Sequence, residues 1–158
     1  MPQTAYTTLP AIGIPGTLAS NRPADIKTKV AGEALTPGTY VVYNASGQAV
    51  NPSAAHTAAT RGGIVMRSMY TQNDGAVAQG DSVDIGETGD FWVQTEGAAA
   101  MNGNAFIRQA AGAGGTQRGA IRHDADTASA TALPGAYFRG PVLAAAGTTK
   151  LELTKGAN

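Results

Sequence analysis

The chain has 158 residues, no cysteine, and eleven basic residues against eleven acidic ones, a formal net charge of zero. That balance argues against nucleic acid as a partner, because such binding relies on clustered Lys and Arg; the missing cysteine excludes disulfides, thiolate metal sites and cysteine nucleophiles. Charged residues make up only 14% of the chain, against a usual share of about a quarter, which suits a protein whose surface is covered in an assembly.

Residues 1–24 read as an extended N-terminal arm. Pro2, Pro10, Pro15 and Pro23 fall here, half of the eight prolines, and proline fixes φ and lacks a backbone N–H, so neither a helix nor a central strand can form. Tyr6, Leu9, Ile12, Ile14 and Leu18 are interleaved with them. An extended segment cannot bury its own apolar side chains. The expectation is therefore an arm that lies on a partner, with Tyr6, Leu9, Pro10, Ile12, Ile14, Pro15 and Leu18 at the interface. The competing expectation is an arm packed back on its own domain. The start of the chain lacks the basic region and apolar core of a Sec-type signal, and no run of about twenty apolar residues offers a membrane span. Synthesis in a cytoplasm is expected.

Residues 25–158 read as one β domain. DIKTKV (25–30) alternates as a half-buried strand does. Pro37-Gly38 has the form of a type II turn, and TYVVYN (39–44) after it is the strongest β segment. Residues 45–62 read as a long loop. IVMRSMY (64–70) is the next strand, with a turn at Asn73-Asp74-Gly75. SVDIG and FWVQT, separated by Glu87, Thr88 and Gly89, have hairpin-like spacing. NAFIRQ, AYFR after Pro134-Gly135, and KLELT complete the pattern, while residues 110–119 form a glycine-rich loop and 120–132 show no clear period. About eight short strands joined by turns point to an all-β sandwich or barrel. Trp92, the single tryptophan, stands between Phe91 and Val93 and is expected as a core anchor.

The chemistry-bearing motifs are sparse. Residues 112–119 have the glycine content of a phosphate loop but no strand-to-helix context for one. His123-Asp124-Ala125-Asp126 could offer metal ligands, yet on a strand His123 points away from both carboxylates. No Gly-x-Ser-x-Gly elbow occurs, and no carboxylate pair stands out. Arg108, Arg118, Arg122 and Arg139 would form a basic patch if their strands adjoined, or else bond to neighbouring carboxylates. No catalytic, cofactor-binding or metal-binding residue is assigned.

Pro10-Ala11-Ile12-Gly13-Ile14-Pro15-Gly16 resembles the opening of the structural cement proteins of tailed bacteriophages, which decorate capsids. Pro37-Gly38 before a valine-rich strand, Gly63-Ile64, Gly80-Asp81, Trp92-Val93, Pro134-Gly135-Ala136-Tyr137-Phe138 and Leu151-Glu152-Leu153 follow in an order similar to that family. The resemblance implies a jelly-roll-like or related β-barrel. It implies a protein on the outer surface of the virion that clamps neighbouring major capsid protein subunits, as a homodimer or homotrimer, with no cofactor, no small-molecule substrate and no catalysis. Two alternatives remain from the residues themselves: a carbohydrate- or receptor-binding module of the virion surface, and a small jelly-roll enzyme using His123, Asp124 or Asp126.

Overall fold

A computed structural model of the chain describes residues 13–56, 61–68, 75–112 and 115–154. Among the described residues there are nine strands and no helix. They are β1 (Asp25–Val30), β2 (Tyr40–Tyr43), β3 (Ala49–Val50), β4 (Gly62–Val65), β5 (Ser82–Thr95), β6 (Asn104–Arg108), β7 (Ile121–Arg122), β8 (Ala130–Gly140) and β9 (Gly147–Leu153). The all-β barrel expected of the sequence is the fold observed.

The architecture turns on β5, which is fourteen residues long. Its first half pairs antiparallel with β1, from Thr88 opposite Asp25 to Ser82 opposite Val30. On the opposite edge β4 pairs through Gly86 with Ile64 and Ile85 with Val65. The second half of β5 pairs antiparallel with β9, from Gly89 opposite Leu153 to Thr95 opposite Gly147. It also meets β7 in parallel at Thr95 and Ile121. Because β7 pairs β6, β6 pairs β8 and β8 pairs β9, the ring β5–β7–β6–β8–β9 closes on itself. The other half runs β1–β5–β4–β2–β3, and its two ends meet at a bridge between Ala31 and Ala49. Closure of this kind removes the open edges that antiparallel sheets must otherwise protect.

Each half has its own core. Phe91, Val93, Ile107, Ile121, Phe138, Leu151 and Leu153 fill the larger one, with Tyr40, Val42 and Ile64 beside them. Ala31, Leu35, Val41, Ala49, Val65, Val77, Val83 and Ile85 fill the smaller. Along β2 and β4 successive side chains alternate between the two cores, so both strands are buried on both faces. That explains why YVVY and GGIV are continuous apolar runs, as expected of strands covered on each side.

Three expectations change. SVDIG and FWVQT are one strand, not a hairpin: Glu87, Thr88 and Gly89 keep the chain extended while its partners switch from β1 to β9. Gly89 has φ +128°, and a Cβ there would stand 2.9 Å from that of Ala24. Pro134-Gly135 does not precede a strand but sits inside β8, at a register shift between the β6 pairings of Ala132 and Tyr137, and β9 joins the other edge from Ala136 onward. Trp92 is half-buried on the outer face of β5, because the strand alternates and both Phe91 and Val93 take the inward positions. The core anchor of this segment is therefore Phe91 rather than Trp92.

Tight packing between strands limits substitution at the glycines of β4. A Cβ on Gly63 would lie 2.4 Å from the Gly86 carbonyl oxygen, a backbone atom that cannot step aside. Gly63→Ala is expected to lower unfolding stability by about 1–3 kcal/mol, read from denaturant midpoints; an unchanged midpoint would contradict the close approach of β4 and β5.

Candidate functional site

The described end of the proline-rich arm is held by the domain's own backbone. Ile14-Pro15-Gly16-Thr17 closes a turn, with the Thr17 N–H donating to the Ile14 carbonyl at 3.1 Å and Gly16 at φ +85°. Pro at the second position and Gly at the third are what a type II turn requires. This turn packs on the other Pro-Gly turn of the chain: a Cβ on Gly16 would stand 2.9 Å from that of Pro37. Beyond it the chain lies along β5. The Gly16 N–H donates to the Trp92 carbonyl (2.8 Å), the Trp92 N–H donates to the Thr17 carbonyl (2.9 Å), and the Ala19 N–H donates to the Asp90 carbonyl (2.8 Å). The Arg67 N–H donates to the Gly16 carbonyl (2.7 Å).

Side chains lock the base of the arm. Ser20 Oγ donates to Asp90 Oδ2 at 2.6 Å. Arg22 donates to Glu152 Oε1 at 2.8 Å, and Arg139 donates to the other oxygen of the same carboxylate. The hydrogen bonds from Arg139 and then Arg22 hold the Glu152 carboxyl below the usual carboxylate range. Trp92 lies against Gly13, at which a Cβ would collide with the indole, and Lys150 Nζ sits 5.2 Å from the ring centroid.

Of the expected interface residues, Ile14, Pro15 and Leu18 belong to this held segment, while Tyr6, Leu9, Pro10 and Ile12 lie outside the described residues. Ile14 is 57% exposed and Leu18 43% exposed. The backbone of residues 16–19 is thus bonded to the domain while Leu18 within it and Ile14 just before it face outward. Strand addition normally supplies main-chain bonds in one direction and side-chain contacts in others. Here the main chain is satisfied internally and the apolar side chains are left on offer. The anchoring residues Asp90, Glu152 and Arg22 carried no sequence signal; their partners lie 70 and 130 positions away from Ser20 and Arg22 respectively.

The four arginines do not form a basic patch. Arg108 is fully buried and donates to Glu96 Oε2 (2.7 Å), Asp126 Oδ2 (2.8 Å) and the Ala110 carbonyl (3.1 Å). Arg122 donates to Glu96 (3.1 Å) and Asp124 (2.7 Å), and its hydrogen bond holds the Asp124 carboxyl low. Arg118 pairs with Glu33 and Arg139 with Glu152. Asp126, Thr127 and Ala128 all have positive φ (41°, 54° and 72°), a left-handed turn that costs about 1–2 kcal/mol per non-glycine residue. That cost is offset where the turn delivers Asp126 to Arg108. His123, Asp124 and Asp126 do not converge; among the described residues no group of three or more acidic or histidine side chains is placed to hold a metal ion. The loop around Gly112 packs on the same ion cluster, since a Cβ there would meet Asp126 and Arg108.

The all-β fold is shared with a solved chain described as the capsid of Myoviridae phage XM1. The two superpose with a TM-score of 0.75 over 98% of each chain at 17% sequence identity. No curated protein matches the sequence. The family model of the structural cement protein (E217 gp24/Pam3 gp6) matches residues 1–154, and the chain belongs to that family. It is a phage cement protein, a structural component of the virion that binds the capsid.

Two outcomes follow. Replacing Arg108 with Ala leaves two carboxylates without their buried partner, so a loss of about 3–5 kcal/mol is expected in thermal or urea unfolding; a change below 1 kcal/mol, on the order of a surface pair, would place the cluster in solvent. Glu152 titrates lower when folded than when unfolded. Its contribution is complete above the ordinary carboxylate value of about 4.3 and is lost as pH falls through the lower folded value. Arg139→Met is expected to flatten the acid limb of stability below that pH, and an acid limb identical to the parent's would refute the pairing.

Proposed function

We propose that this protein sits on the outer surface of the phage head and clamps neighbouring major capsid protein subunits against the outward pressure of packaged DNA, acting as a homodimer or homotrimer and without catalysis. The anchors are Tyr6, Leu9, Pro10, Ile12, Ile14, Pro15 and Leu18 of the arm. The observation that carries this reading is the held arm segment with Ile14 and Leu18 outward. Its backbone order is established before docking, so less conformational entropy is lost when those side chains meet a groove. A protein that binds the assembled shell and not its separated subunits stabilises the shell by mass action. Each contact need reach only an ordinary interface, about 1,200–2,000 Å², because copies that bridge several subunits act together.

A glycan-binding module would need exposed flat aromatic faces. Tyr40, Phe91 and Phe138 are buried, and Trp92 is half-covered beside Gly13, so that alternative gains nothing from the fold.

Deleting residues 1–12 removes four of the seven anchors and keeps every described bond of the arm base. The truncated protein is expected to fold with the parent's circular dichroism spectrum and to lose cosedimentation with heads assembled without cement. Undiminished cosedimentation would overturn the arm as the clamp.

A further inference from the structure

The smaller ring is sealed at the end of β1 and not along it. The bridge between Ala31 and Ala49 lies just past the strand, and β1 itself pairs only with β5. Successive residues of a strand turn their N–H and C=O groups to opposite edges. The Ala31 N–H donates to the carbonyl of Asp81, the residue before β5, and the Gly32 N–H donates to the Ala49 carbonyl on the other side, both at 2.8 Å. The register runs unbroken from Ile26 to Val30. Counting back from Ala31, Lys29 and Lys27 face β5, while Val30, Thr28 and Ile26 turn their N–H and C=O groups to the far edge. Among the described residues none of these outward groups has a backbone or side-chain partner.

The side chains of β1 make this open edge selective. Lys27 stands opposite Ile85 and Lys29 opposite Val83, both residues of the smaller core, so the two lysines lie on the core-facing side. Lys29 Nζ is 4.8 Å from the Tyr43 ring centroid and Lys27 Nζ 3.0 Å from Asp25. Ile26 and Val30 take the outer side and are 41% and 43% exposed; Thr28 between them donates to Asp84 Oδ1 at 2.6 Å. Lysine on the core-facing side of an open edge guards against pairing with further copies. Antiparallel pairing of two copies through all the outward residues would set Thr28 against Thr28 and Lys27 against Lys29, placing like charges opposite each other. The same geometry accommodates carboxylates opposite the lysines and apolar side chains opposite Ile26 and Val30.

We infer that the far edge of β1 receives an extended segment of a capsid subunit in which acidic and apolar residues alternate, adding it to the sheet as a further strand. Main-chain bonds to Ile26, Thr28 and Val30 hold the segment, and the alternation of its side chains selects it. This contact is separate from the arm, which bonds to Asp90 and Trp92 in the half of β5 beyond the β1 pairing. That the segment comes from the capsid rests on the function proposed above; the open edge and its selectivity do not.

Amide NMR of the full chain reads the edge directly. A capped peptide of alternating valine and glutamate is expected to shift and protect the amides of Ile26, Thr28 and Val30, while those of Lys27 and Lys29, already bonded to β5, stay unchanged. The same peptide with lysine for glutamate is expected to bind on the order of tenfold more weakly. Equal binding of the two peptides would overturn the acidic partner, and no change at the three amides would overturn the edge. Thr28→Pro removes the central outward N–H and spares the bonds to β5, a placement proline tolerates on an edge strand; Thr28→Val keeps that N–H. Thr28→Val is expected to bind the acidic peptide as the parent does and Thr28→Pro to lose it, both with the parent's circular dichroism spectrum; binding retained by Thr28→Pro would overturn main-chain pairing. The readout on the parent protein stands without the variants. Hydrogen exchange of the parent bound to heads then tests the source, with protection expected at the same three amides. Free exchange there in bound protein would overturn the capsid as the source of the strand. Failure to bind heads at all, with the peptide still docking, would refute the proposed function and leave the edge in place.

Discussion

The fold depends on one strand serving two rings. β5 donates Val83 and Ile85 to the smaller core and Phe91 and Val93 to the larger, and it changes partners midway without breaking. Neither ring closes without it: the first needs its pairing with β1 and β4, the second its pairing with β9 and β7. A cavity in β5 would be felt in both cores, since packed interiors relax only partly around lost volume. The glycines at 86 and 89 belong to the same constraint, because Gly86 leaves room for the Phe91 ring and Gly89 for Ala24.

The arm rides on this same strand. Asp90 and Trp92 bond the arm on one edge while β9 takes the opposite edge, so the direction in which the arm departs is tied to the most constrained element of the barrel. The charged residues reinforce this arrangement. With only 14% charge available, much of it is committed to internal pairs: Arg108, Arg122, Glu96 and Asp126 at one place, Arg22, Arg139 and Glu152 at the arm base. Exposed charges such as Arg22, Lys27 and Arg118 are themselves paired with carboxylates, so the surface is suited to contact rather than to long-range attraction.

Much of this was legible in the sequence where local pattern decides structure. DIKTKV is a strand with the expected bounds, but Ile26 and Val30 of its alternating face are exposed instead of half-buried, and TYVVYN and KLELT hold the strands expected of them. The reading failed where tertiary pairing overrides a local punctuation signal. Glu87-Thr88-Gly89 and Pro134-Gly135 both look like turns, yet each lies inside a strand, the first where β5 exchanges β1 for β9 and the second at a register shift in the pairing of β8 with β6. The two-residue strands β3 and β7 are too short to show any period. Trp92 illustrates a limit of composition: hydrophobicity alone could not say which of Phe91, Trp92 and Val93 points inward, and the two-residue period assigns the inward positions to the other two. For the site, the attachment of Ser20 and Arg22 through Asp90 and Glu152 rests on pairings across most of the chain, which no local motif records.

β9 occupies residues 147–153, and the larger ring closes only when it slots between β5 and β8. During synthesis, β5 through β8 emerge from the ribosome well before that final partner, leaving the inward faces of Phe91 and Phe138 without their cover from Leu151. Such long-range pairing is slow to form and exposed to aggregation while it waits. The barrel is therefore completed only after translation of its last strand, and a ribosome stalled short of residue 147 would hold an open, sticky sheet rather than a smaller working domain.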